Sequence, residues 1–121
     1  MKAANPLTPK WHTAAGSDES APTRFRIRGL TNLELADVTA NAIDSEDDDG
    51  KPKLKYGSAS IRVAIGRGLL EWENFADVHG NPAPFPADVT ARITALGPTL
   101  MAELFWAILA ESYLTEDQRK N

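Results

Sequence analysis

From Thr23 to Leu30 hydrophobic and polar positions alternate, with Phe25, Ile27 and Gly29 on one face and Arg24, Arg26 and Arg28 on the other, which predicts a half-buried strand. The period then changes. Thr31, Asn32, Leu33 and Glu34 form a capping box, in which the threonine oxygen accepts from the amide of Glu34 and the glutamate reaches back to the threonine N–H. Leu30 and Leu35 supply the hydrophobic staple, and Leu35, Val38 and Ala42 carry an apolar line to about Ile43. Residues 58–70 fit both periods: Ile61, Val63 and Ile65 alternate, while Ile61, Ala64, Ile65, Gly68 and Leu69 share a helical face. We read a helix, capped by Ser58 or Ser60, with Arg62 and Arg67 off the apolar face.

Residues 72–85 predict two short extended pieces around an Asp77–Asn81 turn. Pro82, Pro84 and Pro86 fall on one edge of the second piece and leave the amides of Ala83 and Phe85 to pair on the other. Trp72, Phe75 and Phe85 are expected to plug the core. A short helix over 87–96 stops at Gly97, and Pro98 opens the longest apolar element, Pro98 to Leu114. At ~100° per residue, Leu100, Met101, Leu104, Phe105 and Ile108 form its core face. Ala102, Trp106, Leu109 and Tyr113 form a second stripe, leaving Thr99, Glu103, Ala107 and Ala110 for water. That second stripe needs a cover. Either the sheet or the 58–70 helix lies over it, or Trp106, Leu109 and Tyr113 contact another protein or a second copy of the chain.

The expectation is an α+β domain over 23–121, a small antiparallel sheet packed with three to four helices, preceded by a flexible arm over 1–22 rich in Pro, Gly and Ser. Trp11 within the arm is either a loose surface contact or an anchor that folds on a partner. Asp44 to Lys53 reads as an exposed acidic loop. Its spacing imitates an EF loop only in part, because Ser45 would take the first ligand position and Tyr56 the position of the bidentate glutamate.

Composition narrows function by what it withholds. The chain has 121 residues, enough for one modest core, and no apolar run reaches the ~20 residues that span a bilayer, so no membrane partner is expected. Residues 1–22 lack an apolar h-region, so a cleaved secretory signal is not expected. The absence of cysteine excludes disulfides and thiolate metal sites and fits a reducing cytoplasm. His12 and His79 lie far apart and no metal-ligand, phosphate-loop, dinucleotide or nucleophile-elbow spacing occurs, so neither cofactor, metal nor enzyme activity is expected. The formal charge of −4 divides into blocks of +3 over 1–30, −7 over 31–50, +5 over 51–70 and −5 over 71–121. Such blocks suit self-association or docking to a charged partner. Nucleic acid is not expected: the helix after Gly97 carries two glutamates and neither Lys nor Arg, and the basic segments lack interleaved aromatics.

The C-terminal half, with Gly68-Leu69-Leu70-Glu71-Trp72-Glu73-Asn74-Phe75, the turn Gly80-Asn81-Pro82-Ala83-Pro84-Phe85, a following helical pair and the ending Leu114 to Asn121, resembles small tail assembly chaperones of long-tailed bacteriophages and prophages. The likeness covers about the last 55 residues, and Phe25 to Glu34 matches more loosely. It implies a non-enzymatic helper in the bacterial cytoplasm that coats the helical tape measure protein, keeps it soluble and brings tail tube subunits to it. The competing class is a structural protein of the phage neck or tail that stays in the virion.

Overall fold

The structure, a computed structural model, describes residues 7–40, 42–46, 50 and 52–113. In chain order its elements are β1 (Lys10–Thr13), β2 (Arg24–Ile27), α1 (Asn32–Ala40), β3 (Ala42–Glu46), β4 (Pro52–Tyr56), α2 (Ser58–Gly68), β5 (Leu69–Glu73) and α3 (Val89–Ser112). The α+β class holds, with an antiparallel sheet ordered β1-β2-β5 and a separate β3–β4 hairpin.

β2 follows its alternation. Phe25 and Ile27 are fully buried, and opposite Phe25 in the register stands Trp72. The outward arginines do not make a free binding stripe: Arg24 pairs with Glu73 and Arg26 with Glu71 across β5. Arg28 forks onto Glu34, at 2.9 and 3.0 Å. The capping box is present in both halves, with Thr31 N donating to Glu34 Oε1 at 2.9 Å and Glu34 N donating to Thr31 Oγ1 at 3.3 Å.

Three expectations need correction. The segment read as arm contains β1, paired antiparallel with β2 from Lys10↔Ile27 to Thr13↔Arg24. Its inward side chains find carboxylates on α3, Lys10 Nζ to Glu111 Oε2 at 3.0 Å and His12 Nε2 to Glu103 Oε2 at 2.7 Å. Glu103 also accepts from the amide of Ala15 at 3.2 Å, so it is tied to the fold rather than left to water. Trp11, on the opposite face, lies beneath the Arg24 guanidinium at 5.6 Å. Second, α1 stops at Ala40 and the acidic segment enters a hairpin, registered from Ala42↔Tyr56 to Glu46↔Pro52. The remainder of the expected loop, residues 47–49 and 51, lies outside the described residues, as does the ending 114–121. Third, α2 is capped by Gly57 without a side-chain bond, and Ser60 is instead buried, donating its hydroxyl to Val38 O at 2.7 Å.

The last third follows the punctuation of the sequence. Asp77 Oδ1 accepts from His79 N and Asn81 N at 2.9 and 3.0 Å, Gly80 takes φ 80°, and Ala83 N reaches Phe75 O at 2.8 Å. Phe25, Trp72, Phe75 and Phe85 pack edge to face with ring centroids 4.8 to 6.2 Å apart. Asp88 caps α3 by accepting from Ala91 N at 3.0 Å. Gly97, at φ 74° and ψ 170°, breaks the helix in a backbone region essentially reserved for glycine, and Pro98 resumes it.

By length and composition α3 is apolar enough to cross a bilayer, which a count of uninterrupted apolar residues misses. In this domain its apolar side packs on α2 and the core, and Glu103 and Glu111 are paired to β1.

Candidate docking groove

The end of β4, the first turns of α2 and α3 on both sides of its break enclose a groove. It consists of two adjoining hollows of about 270 Å³ each, which share Tyr56, Ile61 and Met101. One extends to Ile93, Thr90 and Thr94, the other to Phe105 and Trp106. Local sequence explains the wall. Met101 and Phe105 stand four residues apart on one side of α3, and Ile61 rises from the turn that the Ile61 N to Gly57 O bond closes at 3.1 Å.

Tyr56, Phe105 and Trp106 form an aromatic corner, with ring centroids 5.2 Å apart for Tyr56–Phe105, 5.8 Å for Tyr56–Trp106 and 5.2 Å for Phe105–Trp106. Phe105 is buried, whereas Trp106 remains 57% exposed. Among the described residues, Lys55 and Arg62 are the charged ones that line the two hollows, and Arg62 donates to Thr90 Oγ1 at 2.7 Å. Among the described residues neither has a carboxylate partner. The uncapped start of α2, at Gly57, adds partial positive charge at the same place.

Of the three residues expected on the partner-binding stripe, Trp106 lines the groove. Leu109 does not: it is 5% exposed and belongs to the core. Around the helix it lies ~40° from buried Phe105 and ~60° from Trp106, close enough to the core side to be drawn in. Tyr113 is 69% exposed at the C-cap of α3 and stands outside the residues that line the groove. Sequence places Ile61 and Met101 on core faces and gives Tyr56 no part in a site. Met101 and Ile61 carry the same periodic signal as core residues, since period gives direction and not depth. Tyr56 has no periodic signal linking it to Met101, Phe105 and Trp106, 45 or more positions away.

A larger hollow of about 450 Å³ lies over the turn after β5, lined by Trp72, Asn74, Phe75 and Pro82 among others. Its non-glycine residue at positive φ, Asn74 at φ 54°, is accounted for by the fold, as Asn74 Nδ2 donates to Pro22 O at 3.0 Å and Thr23 Oγ1 donates to Asn74 O at 2.7 Å. Elsewhere, the Arg28 fork holds the Glu34 carboxyl down at about 2, against burial that acts the other way, and this pair belongs to the α1 cap. Among the described residues no three His, Asp or Glu side chains gather in an arrangement that holds a metal. The groove offers apolar contact, aromatic edges and two cations, which is equipment for binding.

Comparison with protein-family models, curated proteins and solved structures finds no match.

Proposed function

We propose that this chain is a non-enzymatic assembly chaperone of long-tailed phages, which holds an amphipathic helical segment of the tape measure protein in the groove beside α3 and thereby helps recruit tail tube subunits. The observation that carries the reading is the groove itself, which runs past the break in α3 and ends on the exposed Trp106. A helix laid into such a groove buries apolar anchors spaced at i, i+3, i+4 and i+7, and a tryptophan at the edge of a desolvated pocket is a common energetic anchor. The partner's identity comes from the resemblance carried by Gly68 to Phe75, Gly80 to Phe85 and the helical pair that follows.

Co-expression with the tape measure protein, followed by size-exclusion chromatography, tests the reading. The account expects co-elution, retained by Tyr113→Ala and lost with Trp106→Ala. A tape measure protein that elutes alone from the unaltered chain would overturn it. Quantifying the chain in purified particles separates a chaperone, present at most in traces, from a tail or neck protein present in stoichiometric amount.

A further inference from the structure

We infer that the groove selects an acidic amphipathic helix, one whose apolar ridge is flanked by Asp or Glu, with Lys55 and Arg62 reading the flank. This deepens the docking reading and rests on it. The argument is one of charge left over after folding. Among the described residues most basic side chains outside the groove are committed to carboxylates: Lys10 to Glu111, Arg24 to Glu73, Arg26 to Glu71, Arg28 to Glu34. Lys55 and Arg62 differ. Both line the groove, both are exposed, and among the described residues neither meets a carboxylate. None of the described residues lining the two hollows is acidic. In a chain of net charge −4, the groove is therefore a local positive rim around an apolar floor.

The geometry limits the ligand as well. After the break α3 advances roughly 8 Å from Met101 to Trp106 at ~1.5 Å per residue, and the floor continues across the break to Ile93, so it takes the apolar ridge of a docked helix rather than a single side chain. Apolar residues of the ligand meet Ile61, Met101 and Phe105. A carboxylate on its flank comes within reach of Arg62, whose planar fork suits two-point contact and has a neutral hydroxyl, Thr90 Oγ1, as its present partner. A helix with lysines in those positions would bring like charges together in a partly desolvated place.

The test uses the full chain and two synthetic helical peptides of ~16 residues with the same leucine ridge, one flanked by glutamates and the other by lysines, titrated by calorimetry. The acidic peptide should bind at least tenfold more tightly at low salt, and the difference should shrink as salt rises. Lys55→Glu combined with Arg62→Glu should reverse the order of the two peptides. Lys55→Glu alone should narrow the gap, and it serves if the double variant fails to fold by circular dichroism. Equal affinities for both peptides, each abolished by Trp106→Ala, would overturn the acidic preference while leaving the docking reading in place. Binding of neither peptide would remove both. Self-association of the chain that the acidic peptide cannot displace and that Trp106→Ala abolishes would put a second copy in the groove and overturn the inference.

Discussion

Glu34 closes the capping box and receives the Arg28 fork with the same carboxylate, which is why its carboxyl stays ionised far below the ordinary range. The sign follows from linkage: the folded value, about 2, lies below the ordinary 4.5, so the stabilisation is fully present above 4.5 and is lost as pH falls from there toward 2. Glu34→Gln preserves the shape of the box and removes the charge. It should lower stability by about 1–2 kcal/mol at neutral pH and flatten the pH dependence of unfolding between those two values, as measured by denaturant titration. An unchanged pH profile would mean that the pair contributes nothing. Two glycines make a second comparison. A Cβ on Gly29 would lie 2.8 Å from the backbone of Ser112, whereas one on Gly68 would meet the Ile108 side chain at 2.6 Å. Backbone yields less than a side chain, so Gly29→Ala should cost more than Gly68→Ala, with both above about 1 kcal/mol. Equal midpoints in urea for the two variants would contradict this.

At the scale of elements, legibility depended on how local the cause is. β2, the Thr31–Glu34 box, α2 and the Gly97-Pro98 break each rest on residues a few positions apart, and each was readable. β1 was not, because what makes Lys10 to Thr13 a strand is β2 on one side and two α3 carboxylates on the other, the His12–Glu103 bond spanning 91 positions. The β3–β4 hairpin escaped for a different reason: Ala42 to Glu46 does not alternate apolar and polar residues, and the charge-rich composition around it reads as loop. For the site, Trp106 was legible as an aromatic off the core face, Leu109 was misassigned because direction around a helix does not say what covers it, and Tyr56 had no sequence signal at all. If β1 belongs to the fold in this way, deleting residues 1–13 should lower stability by ~1–3 kcal/mol and speed exchange of the Ala14 amide, now bonded to Thr23 O at 2.9 Å. A deletion variant with unchanged thermal unfolding would show that the strand adds nothing.

At the scale of the whole molecule, and among the described residues, the basic block over 1–30 and the acidic block over 71–121, which suggest docking along the sequence, are spent largely on each other in the fold. Basic β2 meets acidic β5, and Lys10 and His12 meet Glu111 and Glu103. Exposed large apolar side chains are scattered, among them Leu33, Val78 and Tyr113, but Trp106 is the one that stands at the end of a groove, where α3, α2 and β4 converge. α3 thus divides two roles between neighbouring faces. Leu104, Phe105, Ile108 and Leu109 hold the core together, while Met101 and Trp106 shape a surface that nothing in the described chain fills.

A paired comparison of Trp106→Ala and Leu104→Ala, with thermal stability and tape measure binding measured for each, tests this division most directly. Leu104 is fully buried, so its truncation should cost ~2–5 kcal/mol of stability. Trp106→Ala should cost about 1 kcal/mol or less and weaken binding by at least ~30-fold, the mark of an interface anchor. If both variants lose stability equally, or if Trp106→Ala binds as the unaltered chain does, the groove is part of the core's edge and not a docking surface.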